Sequence, residues 1–174
     1  MVLILLIHLF SLFTLPSNGS SPLIEKYADE ISSSISQLEN MDTPYFEKVD
    51  FKEGELYRFK DLNQQEYLLL ISEVAACKLG GCAAFQNAND QLNSEYFDLL
   101  IILDPASKIK DIKILDYFSD YGYEITSKRY LDKFKGQTAC TFYVEEDGID
   151  AISGATISSY ALEGMIAHLC STRE

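Results

Sequence analysis

The sequence predicts a single α+β domain in which a mainly antiparallel sheet is flanked by helices. Two pairs of apolar runs, rich in leucine, isoleucine and aromatic residues, are each separated by a short polar turn, a pattern typical of antiparallel strands. Other segments carry apolar residues at helical spacing instead. The chain has 174 residues, which suffices for one domain with a core and is short for two.

The expected strands are short apolar runs bounded by turn residues. The run 67–71 is apolar throughout, which indicates a central strand that is covered on both faces. Polar turns at 61–65 and 104–107 join neighbouring strands. The strands expected are Glu55–Lys60, Glu66–Ala75, Phe97–Leu103, Ile109–Leu115 and Gln137–Glu145.

Three helices are expected. Between Leu23 and Met41 apolar residues recur on one helical face, and Pro44 ends the pattern. Ile125–Phe134 predicts a short helix, and Ile157–Cys170 predicts a longer one that completes the domain. The basic residues in and just after the short helix form either a solvated face with ion pairs or a patch for a phosphate or an acidic partner; they are Lys128, Arg129, Lys133 and Lys135.

The amino-terminal segment predicts export. Met1–Leu15 is almost purely apolar, is shorter than the roughly twenty residues that span a bilayer, and is followed by small residues that suit cleavage. No Lys or Arg precedes the apolar run, so an uncleaved anchor stays open as the alternative. We therefore divide the chain into a signal peptide or anchor (1–19), an amphipathic helix with its connector (20–50) and the main domain (51–174). We expect the protein to lie in the periplasm or at the cell surface.

Charge and cysteines restrict the class of partner and site. The formal net charge of −13 excludes a nucleic-acid partner, which would need clustered Lys and Arg, and it favours either plain solubility or a basic partner. The four cysteines can form disulfides in an exported protein, but sequence does not separate the three complete pairings of Cys77, Cys82, Cys140 and Cys170. No metal site is expected, because the chain has only two histidines and lacks the spacing of a zinc knuckle.

The stretch Asp150-Ala151-Ile152-Ser153-Gly154-Ala155-Thr156 predicts a tight polar turn that leads into a helix. Such a junction presents unpaired backbone N–H groups and the positive end of the helix dipole. Together these favour a bound phosphate. The ordinary alternative is a helix start with Ser153 or Thr156 as its cap.

This stretch resembles the flavinylation sequence of the FMN-binding domain family, which includes the G subunit of the Rnf complex and the C subunit of the sodium-pumping NADH:quinone reductase. The resemblance implies that a flavin transferase attaches FMN to Thr156 through a phosphoester bond. Asp150 would then orient the loop or contact the transferase's metal. The cofactor-binding residues expected are Thr156, Asp150, Ser153, Gly154, Ala155, Ile157, Ser158, Tyr121 and Tyr123.

Two further landmarks extend the resemblance over roughly residues 70–170: the turn Asp104–Ile109 and the triplet Phe134-Lys135-Gly136. The loop Ser119–Ile125 departs from the family pattern. Its tyrosines, Tyr121 and Tyr123, are therefore the expected stacking surface for the flavin ring, unless they serve only in packing.

The resemblance implies an exported flavoprotein that carries one or two electrons to or from a redox partner in the membrane or envelope. We expect an electron-transfer protein, or a subunit of an oxidoreductase complex, rather than a stand-alone enzyme, and no residue is assigned a catalytic role. The alternatives are a non-redox envelope adaptor or ligand-binding domain that retains the motif, and an enzyme that reduces a small molecule on its flavin.

Overall fold

The computed structural model describes residues 21–42, 44–76, 95–118, 122–140 and 156–170. The predicted class is confirmed, because these residues form an antiparallel sheet with helices in one α+β arrangement. None of the described helices is long and apolar enough to cross a membrane. In chain order the elements are α1 (Pro22–Lys26), α2 (Ala28–Ile35), β1 (Glu47–Val49), β2 (Glu55–Lys60), β3 (Glu66–Ala76), β4 (Glu95–Leu103), β5 (Ile109–Phe118), a 3-10 helix (Tyr123–Thr126), α3 (Lys128–Leu131) and α4 (Thr156–Cys170).

The five strands lie in sequence order, β1-β2-β3-β4-β5, and every neighbouring pair is antiparallel. Both predicted hairpins, β2–β3 and β4–β5, are confirmed. Strand β1 was not predicted. Its three residues include the exposed, charged Glu47 and Lys48, so no apolar alternation marks it in the sequence.

The central strands are buried on both faces of the sheet. In β3, Leu68 and Leu70 pack towards α4, whereas Leu69 and Ile71 pack towards α1 and α2. Successive side chains of a strand point to opposite faces, so a continuous apolar run fits this position. Each such Leu or Ile contributes about 1.5–3 kcal/mol when it is fully buried.

Helices α1 and α2 cover one face of the sheet. Ser21 caps α1, because its Oγ accepts a hydrogen bond from the backbone N–H of Leu23 at 3.1 Å. The prediction of one helix from Leu23 to Met41 was wrong in two respects: the backbone leaves helical geometry at Tyr27, and α2 ends at Ile35. Several residues in α2 and just after it are serines. Ser36 Oγ donates a hydrogen bond to the carbonyl of Ser33, and such local bonds compete with the continuation of a helix.

A polar cluster fixes α1 to the sheet, and we call it the Lys26 cluster: Lys26, Tyr27, Asp98 and Asp116. Lys26 Nζ lies 3.0 Å from Asp98 Oδ2 and 2.7 Å from Asp116 Oδ2. The Tyr27 hydroxyl donates to the same two carboxylates. Asp98 is buried, and the hydrogen bonds from Lys26 and Tyr27 hold the pKa of Asp116 below its usual value.

The chain between β5 and α4 is more broken than predicted. Gly122 has a φ of 80° and starts the 3-10 helix, and extended backbone at Ser127 separates that helix from α3. The single helix expected over Ile125–Phe134 is thus two short ones. Of the strand expected over Gln137–Glu145, the described part contains only a bridge from Thr138 to Lys108, and residues 141–145 lie outside the described residues.

Two of the four basic residues in and after α3 form ion pairs. This agrees with the interpretation of the segment as a solvated face with ion pairs. Lys128 pairs with Asp132 one turn away, and Lys135 Nζ lies 2.9 Å from Asp111 Oδ1. Burial of Asp111 opposes its ionisation and is the largest single effect, but the hydrogen bonds from Lys135 and Ser34 and the charges of Lys135 and Lys113 together outweigh it, so the pKa of Asp111 is lowered. These lysines are therefore already neutralised within the domain.

A disulfide joins Cys140 to Cys170, which resolves half of the pairing that the sequence left open. The two Cα atoms are 5.0 Å apart, and the cysteines are 30 residues apart in the chain. The bond therefore closes a loop that contains the whole Asp150–Thr156 stretch. Cys77 and Cys82 lie outside the described residues.

Replacing Lys26 by Met should lower the free energy of unfolding by about 1–2 kcal/mol at pH 7, because Asp98 loses its charged partner while Lys26 itself is partly exposed. The folded pKa of Asp116 is below its unfolded value, so its contribution is present above that value and is lost as pH falls through the folded pKa. The deficit of the variant should therefore shrink below about pH 4. Urea unfolding at pH 7 and pH 2.5 measures it, with Lys48→Met as control; an equal deficit at both values would contradict the cluster's role.

The double variant Cys140→Ser/Cys170→Ser should be less stable by about 3–4 kcal/mol, because the open loop has more conformational freedom in the unfolded chain. Urea unfolding without reductant compares the variant with the oxidised wild type. Reductant cannot act at positions 140 and 170 of the variant, because both are serine there. The response of the variant to reductant is therefore the internal control. Equal midpoints for the oxidised wild type and the variant would show that the bond does not stabilise the fold.

Candidate functional site

Helix α4 begins at Thr156 and runs for 15 residues to Cys170, one residue longer than predicted. Its side chains at Leu162, Ile166 and Leu169 are completely buried against the sheet. The first turn of such a helix has backbone N–H groups without intrahelical partners and lies at the positive end of the dipole. A phosphate or other anion is therefore stabilised at this position.

The structure describes some of the predicted site residues and not others. Thr156 and Ile157 are the first two residues of α4. Ser158 and Tyr123 are described with their side chains and are brought towards the same place. The remaining predicted residues lie outside the described residues: Asp150, Ser153, Gly154, Ala155 and Tyr121.

Ser158 ties the first turn of α4 to the sheet. Its side chain is buried, and its Oγ lies 2.9 Å from the hydroxyl oxygen of Tyr117 on β5. Tyr117 was missed by the sequence analysis, because the strand was expected to end at Leu115 and instead continues to Phe118. The signal was present in the aromatic pair Tyr117-Phe118, since aromatic residues are enriched in strands.

Tyr123 offers an exposed aromatic ring close to this contact. Its exposed fraction is 68%, and its ring packs edge-on against Tyr117 with centroids 5.9 Å apart. Tyr117 in turn stacks on the buried Phe97 at 6.0 Å. The Phe97 ring is thus fixed in the core, Tyr117 contacts α4 through its hydroxyl, and the Tyr123 ring faces solvent.

Ser159, Tyr130 and Glu163 form a second group of polar residues, which lies between α3 and α4 and which we call the α3–α4 cluster. Burial raises the pKa of Tyr130, the neighbouring Ser159 hydroxyl opposes this shift, and the charge of Glu163 adds to it. Burial also raises the pKa of Glu163. Glu163 Oε1 is buried and has no hydrogen-bond partner among the described residues.

These features fit a ligand with an anionic end and a flat aromatic end. The start of α4 suits the anion, and the Tyr123 ring suits an aromatic system by offset or edge contact. Within the described ranges, no group of three or more His, Cys, Asp or Glu residues could hold a metal ion. FMN has both the anionic phosphate and the flat ring that this arrangement accommodates.

Comparison with known proteins identifies the same class. Residues 95–170 match the family model described as FMN-binding domain. Among curated proteins and among solved structures, none matches the chain significantly. The matched range begins with β4 and ends with α4, so it contains Tyr117, Tyr123, Ser158 and Glu163. Within residues 95–170, this chain is therefore similar to the FMN-binding domain family.

Proposed function

We propose that this protein is an electron carrier that holds FMN in a phosphoester bond to Thr156 and acts outside the cytoplasm, free or at the membrane. The observation that carries the proposal is the start of α4 at Thr156, inside the range that matches the FMN-binding domain. A hydroxyl-bearing residue at a helix start is well suited to a phosphoester, because the helix stabilises the phosphate charge.

FMN supplies one- or two-electron chemistry when it is bound, and the protein supplies its position and its electrostatic environment. The backbone N–H groups at the start of α4 would bind the phosphate oxygens. The Ser158–Tyr117 hydrogen bond would keep this turn at a fixed distance from β5. A covalent bond suits an exported protein, since a lost flavin would not be replaced from a cytoplasmic pool.

Attachment requires a separate flavin transferase that uses FAD and a divalent metal. The Thr156 oxygen attacks the phosphorus on the flavin side of the pyrophosphate, the bond to the other phosphate breaks, and AMP leaves. The hydroxyl proton passes to a base of the transferase. Asp150 would orient the loop or contact the metal, and the small Gly154 and Ala155 leave room for the dinucleotide.

The exposed Tyr123 ring is the proposed contact for the isoalloxazine. Tyr117 supports it from below, so the ring does not have to be ordered when the flavin binds. The net charge of −13 disfavours added negative charge on the flavin and acts to lower its potential, whereas nearby Lys and Arg residues act in the opposite direction. Such a carrier would exchange electrons with a partner in the membrane or envelope.

When the full chain is coexpressed with a flavin transferase, Thr156→Ala should abolish in-gel flavin fluorescence and the added mass of roughly 440 Da, the residue of FMN itself. Thr156→Ser keeps a hydroxyl and is the matched control, which should retain the label. Fluorescence that persists in the alanine variant would refute attachment at Thr156. A wild type with an unmodified mass would favour a non-redox adaptor.

Tyr123→Leu should keep the covalent flavin and release its ring from stacking. Aromatic pairs contribute about 0.5–1.5 kcal/mol, so the ratio of stacked to unstacked flavin should fall about two- to tenfold. The population of long fluorescence lifetimes measures this ratio. Tyr45→Leu removes another exposed tyrosine, beside β1, and should change nothing; an identical response in both variants would exclude Tyr123 as the ring contact.

A further inference from the structure

The carboxyl group of Glu163 has no role in the function proposed above. It lies in the α3–α4 cluster, near the buried Tyr130, and its Oε1 is buried without a hydrogen-bond partner in the part of the chain that the structure describes. A buried carboxylate oxygen without a partner is costly when the group is ionised. This residue is therefore poised to hold a proton.

The position of Glu163 on α4 links it to the proposed flavin site. Residues 156 and 163 are two helical turns apart, so they lie on the same face of the helix, about 10 Å apart along its axis. Helical side chains lean towards the amino terminus, which brings the carboxyl closer to Thr156 than its Cα is. Cys170 lies two turns further along the same face and is bonded to Cys140, which follows α3.

We propose that Glu163 takes up a proton at Oε1 when the flavin on Thr156 is reduced, and that this uptake couples electron transfer to proton transfer. The inference rests on the proposed function. An external electron donor is oxidised and the flavin is reduced, while Glu163 exchanges no electrons. The proton comes from water, remains on Glu163 as long as the flavin is reduced, and returns to water on reoxidation.

The surroundings of Glu163 make it responsive to a nearby negative charge. Burial is the cause of its raised pKa, and among the described residues no cation opposes this shift. From α3 it faces Tyr130, over whose ring Lys133 Nζ lies at 5.9 Å, and His168 on its own helix lies beside Glu53. The strands beneath α4 present apolar side chains. One added charge on the flavin at about 10–20 Å should raise the carboxyl pKa by roughly half a unit to one unit at an effective dielectric constant of 20.

Carbon-13 NMR of labelled glutamate carboxyls tests the inference directly. The pKa of Glu163 is measured in the flavin-loaded wild type, oxidised and then reduced with dithionite, and in the flavin-free Thr156→Ala variant. Glu163→Gln identifies the resonance. We expect a pKa roughly half a unit to one unit higher in the reduced than in the oxidised protein, and a value near the oxidised one in the flavin-free variant.

The pH dependence of the flavin potential gives a second readout. At pH values between the pKa of Glu163 in the oxidised protein and its pKa in the reduced protein, the loaded wild type should bind roughly 0.3–0.5 more proton per reduction than Glu163→Gln does, because a shift of about half a unit to one unit changes the protonation of the carboxyl only partly. Glu30→Gln removes a carboxylate from α2, on the opposite face of the sheet, and should behave as the wild type. Glu163→Gln should also be checked by urea unfolding; if it does not fold, Glu163→Asp, which keeps a carboxyl but removes the labelled glutamate signal, identifies the resonance for the wild-type titration.

Equal pKa values of Glu163 in the oxidised and reduced forms, in protein whose loading is verified by mass, would overturn the coupling and leave the proposed function standing. A wild type that takes up no flavin would overturn both, and its mass would reveal this before any titration. Two results together would establish Glu163 as the proton-exchanging group. The first is a pKa of Glu163 that shifts on reduction. The second is an inflection in the pH dependence of the flavin potential that is lost in Glu163→Gln and kept in Glu30→Gln.

Discussion

Strands β3 and β4 are apolar on both faces, and the need to cover them positions the other described elements. Leu69, Leu70, Leu99 and Leu100 are completely buried, two on each side of the sheet. Helices α1 and α2 cover one side, and α4, with the segment around α3, covers the other. The candidate flavin helix is thus first a structural cover, and its amino terminus reaches the β5 edge because the helix crosses the sheet.

Hydrophobic burial alone does not fix where each cover lies, because it is non-directional. Polar contacts at the margins of the core supply that restriction. The Lys26 cluster holds α1 against β4 and β5, and the Ser158–Tyr117 hydrogen bond holds the start of α4 against the other face of β5. Asp116 and Tyr117 are consecutive in β5 and serve opposite faces. The end of this one strand therefore orients both layers of helices.

The sequence allowed the hairpins and α4 to be predicted, because apolar period and turn residues act locally. It did not reveal contacts between distant residues: Lys26 and Asp98 are 72 residues apart, and no local pattern joins them. The disulfide pairing was undetermined for the same reason. The helix break at Tyr27 depends on where its hydroxyl must reach, which only the folded sheet defines. In the candidate site, Thr156 and Ser158 came from the motif, whereas Tyr117 and Glu163 act through tertiary neighbours.

The Cys140–Cys170 bond has a topological consequence. The backbone between the two cysteines and the bond itself form a closed ring, and Thr156 is a member of that ring. A single protease cut within it opens the backbone but leaves both pieces joined to the domain. For a protein that acts outside the cytoplasm, as proposed, such a cut would leave the fragment that bears the proposed cofactor attached to the domain.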